Sequence, residues 1–162
     1  MVNLNNTYNP LFLKKEELRI AQELIFFLYK DLDNDINKIL KIYKYNKSHF
    51  SVIFLASNNY FLTIKDLLSI LDIKKQSLSK IINKLKRDDV IYLKTSKKDK
   101  RNKNIFLTKK GIRIEKKISQ SQINTIATAY KNAGTNSITG FKKVLLNLIT
   151  NKSKKILGNK TK

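Results

Sequence analysis

Lys75, Gln76, Ser79, Lys80, Asn83, Lys84 and Arg87 recur at spacings that place them on one side of an α-helix. The opposite side is closed by Leu78, Ile81, Ile82 and Leu85, at i, i+3, i+4 and i+7. Lys74 and Ser77, at the start of the same stretch, join the polar set. Such a face has a defined chemistry. Gln and Asn amides pair with adenine edges, Lys reaches guanine or phosphate, and Ser serves either. The bland alternative is an ordinary solvated face of an amphipathic helix, and the face taken alone fits that as well. A second basic group tips the balance. Lys97, Lys98, Lys100, Arg101 and Lys103 surround Asp99 in a short polar stretch between two apolar ones. An Arg there suits the narrow, strongly negative minor groove of A·T-rich DNA. A lone carboxylate is costly beside phosphate, so Asp99 is expected to pair with Arg101 or to fix a turn.

Other chemistries lack their residues. There is no cysteine, which removes thiol catalysis, disulfides and Cys-ligated zinc. His49 is the single histidine, so no His pair can bind metal or relay protons. Beside Phe50, it reads as a helix-start or interface residue. The four glycines form neither G-x-x-x-x-G-K nor G-x-G-x-x-G. Asp31, Asp33 and Asp35 imitate the start of a calcium loop, but its sixth position is Ile36 and its twelfth Ile42, where Gly and Glu belong. No enzyme activity, cofactor or metal is expected.

The net charge of +22 repels itself unless a polyanion is near. Residues 74 to 117 hold 17 of the 34 basic residues and 4 of the 12 acidic ones. That concentration is the footprint of nucleic acid rather than of a diffuse cation. An anionic membrane surface is the second candidate partner. Yet the strongly apolar run Leu24 to Tyr29 is far short of the roughly 20 residues that span a bilayer. No secretory leader is recognisable, so a cytoplasmic, nucleoid-associated protein is expected.

The elements that must position these groups follow from periodicity. Residues 1–10 read as a flexible arm. A long helix is expected from Lys14 to Tyr43, carried by Leu18, Ile25, Leu28, Leu32, Ile36, Ile39 and Tyr43, with the Asp cluster marking a bend. At roughly 45 Å, such a helix suits a chain that pairs with a second copy. A short helix from Ser48 to Ser57 follows, with Ser48 as its cap. Thr63 and Asp66 cap a third, whose apolar face is Ile64, Leu67, Leu68 and Leu71. Asp72 and Ile73 turn the chain into the basic helix, giving a helix-turn-helix. Val90–Leu93 and Asn104–Leu107 predict two strands around a charged hairpin tip, a wing. Thr108 caps a helix to Asn132, Gly134 and Ser137 punctuate the chain, and a last helix spans Ser137 to Thr150. From Asn151 a basic, frayed tail is expected. Ile118, Ile123, Ile126, Tyr130, Phe141, Val144, Leu145 and Leu148 are assigned to subunit contact. The fold class is mainly α with a small β-wing: a winged helix-turn-helix core over 60–108, with dimerisation helices at 11–45 and 109–150.

Asp99-Lys100-Arg101, then Ile105-Phe106-Leu107-Thr108 and Gly111, resembles the wing signature of the MarR family of transcription regulators: Asp-x-Arg, an apolar strand, Leu-Thr-x-x-Gly. The order of elements is similar from about Leu11 to Ile149. Leu13 to Tyr29, Lys47-Ser48-His49 and Ile73 to Leu78 further resemble the PetP-type branch. The resemblance implies a homodimer on double-stranded DNA, with Leu78 to Arg87 in the major groove and Arg101 in the minor groove. It also implies a cleft for a small anionic aromatic effector, for which Phe26, Phe27, Tyr29, Tyr43, Phe50, Phe54 and Tyr60 are the candidates. An aromatic set at helical spacing is more often plain core. The other function class consistent with the charge is an architectural protein that coats A·T-rich DNA without a defined operator. Two positions depart from the family pattern. Asp89 stands where a helix-ending Gly is usual, and Lys74 where a Thr or Ser cap is common.

Overall fold

The computed structural model describes residues 11–58, 62–95 and 102–158. A 3-10 turn (Leu11–Leu13) leads into α1 (Lys15–Ile42), α2 (Lys47–Asn58), α3 (Ile64–Leu71) and α4 (Lys75–Arg87). Strands β1 (Ile91–Thr95) and β2 (Lys103–Leu107) follow, then α5 (Lys109–Ala133), α6 (Thr135–Leu148) and α7 (Asn151–Leu157). This is the mainly helical chain with a small β-wing that the periodicity predicts. It divides into two compact units, the first ending at Gln122 and the second beginning at Ile123. The arm at 1–10 lies outside the described residues.

In the first unit, α1 is one uninterrupted helix through the Asp cluster. Two of those carboxylates, Asp33 and Asp35, are occupied locally. Asp33 accepts from Asn37 Nδ2 at 2.9 Å and pairs with Lys47 at 2.8 Å, and Asp35 pairs with Lys38 at 3.2 Å. Only the C-terminal part of α1 enters the core, through Ile36 and Leu40; from Lys15 to Asp31 every residue is exposed. The helix stops on a left-handed residue, Lys44, at φ 54°. The Lys44 and Tyr45 amides then bond back to Lys41 and Leu40 at 3.1 and 3.0 Å, which satisfies the last carbonyls. A lysine pays a steric cost in that conformation that glycine does not. Lys44→Gly is therefore expected to raise stability by about 0.5 kcal/mol, the relief being partly offset by the freer unfolded chain. A chemical denaturation midpoint checks it.

The second helix begins at Lys47, one residue before the expected start, and its cap is Asn46 rather than Ser48. The Asn46 side-chain oxygen accepts the His49 amide at 3.2 Å, which leaves Ser48 inside the first turn. At α3 the expected capping box is present: the Thr63 hydroxyl accepts the Asp66 amide, and the Asp66 carboxylate accepts the Thr63 amide. Asp72 then turns the chain at φ 50°. The next helix, α4, buries Leu78, Ile81, Ile82 and Leu85. It ends as α1 does, with Asp89 left-handed at φ 54° and the Val90 amide on the Leu85 carbonyl at 2.8 Å. Val90 thus spends its N–H on the helix end, and the strand begins at Ile91 instead.

The wing strands pair antiparallel, Ile91 opposite Leu107 and Leu93 opposite Ile105. The segment before α3 adds a further rung, since the Ile105 amide bonds the Leu62 carbonyl at 2.8 Å. After the wing, Thr108 caps α5 by accepting the Gly111 amide at 3.0 Å. A Cβ at Gly111 would be driven into the Val90 carbonyl oxygen, so the helix can start this close to β1 only with glycine there. Leu40, Ile53, Leu67, Leu78, Leu85, Val90, Ile105 and Ile118 are fully buried in one core. Ile118, assigned above to subunit contact, belongs to this core instead.

The second unit is of another kind. Gly134, at φ 77°, separates α5 from α6, which starts at Thr135 rather than at Ser137. From Ile123 to Gly158 no residue is buried. Ile123, Ile126, Phe141, Val144, Leu145 and Leu148 are all exposed. The expected frayed tail is partly wrong: Asn151–Leu157 is helical, because the Thr150 hydroxyl accepts the Ser153 amide at 3.2 Å and supplies a start.

Candidate nucleic-acid interface

Packing of Leu78, Ile81, Ile82 and Leu85 fixes which side of α4 faces out. Lys74, Lys75, Gln76, Ser77, Ser79, Lys80, Asn83 and Arg87 are all exposed. Gln76, Lys80, Asn83 and Arg87, at i, i+4, i+7 and i+11, make one stripe. A surface hollow of about 630 Å³ is lined by Lys80, Asn83, Lys86 and Arg87. Lys86, absent from the sequence reading, joins the basic face here. Among the described residues, no carboxylate lines that hollow. The stripe therefore presents two amides, Gln76 and Asn83, and two cations, Lys80 and Arg87, with the charge that a phosphate-flanked groove requires.

Lys84 does not share this face. It is half-buried, and its ammonium bonds Asp88 Oδ2 at 3.0 Å while lying 5.2 Å from the centre of the Tyr45 ring. The Tyr45 hydroxyl donates to the same oxygen at 2.9 Å. Tyr45 is stacked on His49 at 5.1 Å. From α5, the Lys110 ammonium bonds the Asp88 carbonyl at 2.7 Å, and the Thr108 hydroxyl bonds the Asp89 carbonyl at 2.7 Å. The end of α4 is thus held by side chains from the α1–α2 corner and from α5. None of Tyr45, Asn46 or Asp88 was singled out from sequence.

The protonation states follow from these contacts. The Lys84 hydrogen bond, helped by Tyr45, holds the Asp88 carboxyl below the usual carboxylate range. Burial, then the bond to Asp88, pushes the Tyr45 hydroxyl up, so it remains a donor. Burial, then the Lys84 charge, pushes His49 down, so the ring is neutral near pH 7. Its Nδ1 lies 2.7 Å from Asn46 Oδ1, a hydrogen bond in the Nδ1–H tautomer. His49 is thus a buried helix-start residue.

Of the wing group, Lys97, Lys98, Asp99, Lys100 and Arg101 lie outside the described residues; Lys103 is exposed on β2. Among the effector-cleft candidates, Tyr60 also lies outside them. The others do not form one cluster. Phe26 meets Phe27 edge-on at 5.4 Å, Phe50 meets Phe54 at 5.6 Å, and Tyr43 stacks on Tyr45 at 6.1 Å. Phe26, Phe27 and Tyr29 are exposed on the part of α1 that buries nothing. Among the described residues, no group of His, Asp or Glu could hold a metal, and no helix is long and apolar enough to cross a membrane.

Residues 52–102 match the model of the MarR family. Over 135 residues the chain is 33% identical to the HTH-type transcriptional regulator PetP of Rhodobacter capsulatus, covering 83% of this chain and 81% of that protein. The fold is shared with MepR of S. aureus. A mutant MepR from a multidrug-resistant clinical isolate superimposes with a TM-score of 0.69 at 18% identity, covering 79% of this chain and 94% of that one. The MepR–DNA complex gives 0.59 at 19% identity, covering 78% and 94%.

Proposed function

The chain belongs to the MarR family, and from that premise we propose that it is a homodimeric transcription regulator reading a pseudo-palindromic, A·T-rich site in double-stranded DNA. The observation that carries this reading is the outward face of α4: an uninterrupted stripe of amides and cations on a helix whose other side is locked into the core. Gln76 and Asn83 read adenine edges, because a side-chain amide pairs with adenine while carrying no net charge. Lys74, Lys75, Lys80, Lys86 and Arg87 bind phosphate or guanine, with Ser77 and Ser79 as lesser polar contacts. Lys84 is taken off this list, since its ammonium is engaged by Asp88. Lys103 and the wing-tip residues Lys97, Lys98, Lys100 and Arg101 flank the groove, Arg101 in the minor groove, with Asp99 ordering the tip.

The dimer is supported by what each copy leaves uncovered. Leu24, Ile25, Phe26, Phe27, Leu28 and Tyr29 are exposed along α1, and among its described residues the second unit has none that is buried. Most of a helix's stability in a protein comes from packing its apolar face, which these segments do not do within a single copy. Phe26, Phe27 and Tyr29 are therefore subunit-contact residues before they are effector contacts. An effector cleft for a small anionic aromatic remains a part of the proposal, for which Tyr43, Phe50 and Phe54 are the candidates.

A two-fold dimer sets its two α4 helices in successive major grooves, about 10 base pairs apart. Selection from random duplexes is expected to return a two-fold motif with that spacing. Gln76→Ala is expected to relax preference at one base pair per half-site, by roughly 1–3 kcal/mol. Enrichment in A·T content without a motif, unchanged by Gln76→Ala, would instead favour an architectural protein, a reading that the +22 charge supports.

A further inference from the structure

We propose that Tyr45 is a positioning residue for DNA reading: its hydroxyl ties α1 to the far end of α4 and thereby sets the angle at which the reading helix is presented. The inference rests on the function proposed above. Tyr45 is not a free side chain on a loop. Its amide is bonded to the Leu40 carbonyl at 3.0 Å, so the residue moves with the end of α1. Its ring is buried, stacked on His49 of α2 at 5.1 Å and faced by Lys84 of α4 at 5.2 Å. Its hydroxyl reaches 43 residues along the chain to Asp88 Oδ2, at 2.9 Å. Asp88 is the C-cap of α4, and its carbonyl is gripped in turn by Lys110 of α5 at 2.7 Å.

The physical division of labour is clear. Leu78, Ile81, Ile82 and Leu85 hold α4 against the core, but burial of apolar surface is non-directional and tolerates a small roll or slide. A hydrogen bond to a carboxylate fixes both distance and angle. The start of α4 offers no such restraint from its cap, since Lys74 makes no side-chain capping bond. Among the described residues, side-chain tethers hold the other end of α4, and the Tyr45 hydroxyl is the one from the α1–α2 corner. Because the exposed part of α1 is the proposed dimer arm, a shift of that arm is carried by Tyr45 to the reading helix.

Tyr45→Phe tests this. It keeps the ring, the His49 stack and the Lys84 contact, and deletes only the hydroxyl. Two duplexes are compared, one carrying the site obtained by selection and one with that site scrambled at equal length and composition. The variant is expected to lose about tenfold in affinity for the selected site, the scale of one bond to a charged group. Affinity for the scrambled duplex, which depends on phosphate contacts alone, is expected to change less than about twofold. Asp88→Asn keeps an acceptor for the hydroxyl and is expected to retain most of the discrimination. A merely structural role would lower the thermal midpoint and leave the ratio of the two affinities unchanged, and that result overturns the inference. If the wild-type protein does not discriminate between the duplexes, the proposed function fails and takes this inference with it. If the wild type discriminates and Tyr45→Phe does so equally well, the inference alone falls.

Discussion

Gly111→Ala is expected to cost about 3 kcal/mol or more and to lower the thermal midpoint by about 10 °C. The atom in the way of the added methyl is the Val90 carbonyl oxygen, with the Val90 carbonyl carbon and Leu107 Cβ behind it. A flexible side chain could swing aside; a backbone carbonyl cannot. That carbonyl also accepts the Thr108 amide at 3.0 Å, so displacing it breaks the start of α5 as well as the base of the wing. The same substitution at Gly140, where nothing lies within 4 Å of the added carbon, makes the contrast. There Ala improves a helix interior and is expected to be neutral or to stabilise by up to about 1 kcal/mol. Denaturation of the two variants side by side decides the matter. Equal midpoints would mean that α5 does not approach β1 this closely. DNA affinity should fall with Gly111→Ala alone, because Lys110 and the wing base are set by that junction.

The same contact explains why parts of this fold are legible in the sequence and others are not. The capping box at Thr63 and Asp66, the apolar faces of α3 and α4, and the Thr108 cap are complete within a few residues, so spacing reveals them, whereas Gly111 stands out only through the resemblance to the family's wing signature. Asp89 belongs with these: a helix-ending position is visible locally, and Asp tolerates φ 54° better than most side chains. Tyr45 is the opposite case. Nothing within its own segment marks it, since its partner is Asp88, and only the folded chain brings them together. Lys84 departs from its sequence expectation for a related reason. It stands at the border between the buried and exposed sides of α4, where helical spacing assigns it to solvent but a carboxylate and an aromatic ring claim it. Ser48 yields the cap of α2 to Asn46, an equally good capping residue that stands one position before the helix start. Ile118 looks like subunit surface in the sequence because its helix runs on into Ile123 and Ile126; burial changes along α5 while the apolar pattern continues.

Breaking the dimer should have the largest functional effect. Ile25→Glu on α1 and Leu145→Glu on α6 introduce a charge where each single chain is already 49% and 39% exposed. In a monomer such surface changes cost little, within about 0.5 kcal/mol. In a dimer each substitution buries a carboxylate twice across the two-fold axis, once per copy, and an unpaired buried charge is far more costly than that. Sedimentation is therefore expected to shift from about twice 18.9 kDa to the single-chain mass. The DNA consequence follows from linkage of two half-sites. A dimer gains its second contact at a high effective concentration, so a monomer should bind a two-half-site duplex about 10²–10⁴-fold more weakly. Binding to a single half-site should change little, because the face of α4 is untouched. The second unit supplies an independent readout: with no buried residue of its own between Ile123 and Gly158, its helices should lose helical signal when the partner leaves, while the core around Leu78 and Ile118 stays folded. A wild-type protein that sediments as a well-folded monomer, or either Glu variant that remains a dimer with full DNA affinity, would show that these apolar faces serve something other than a second copy of the chain.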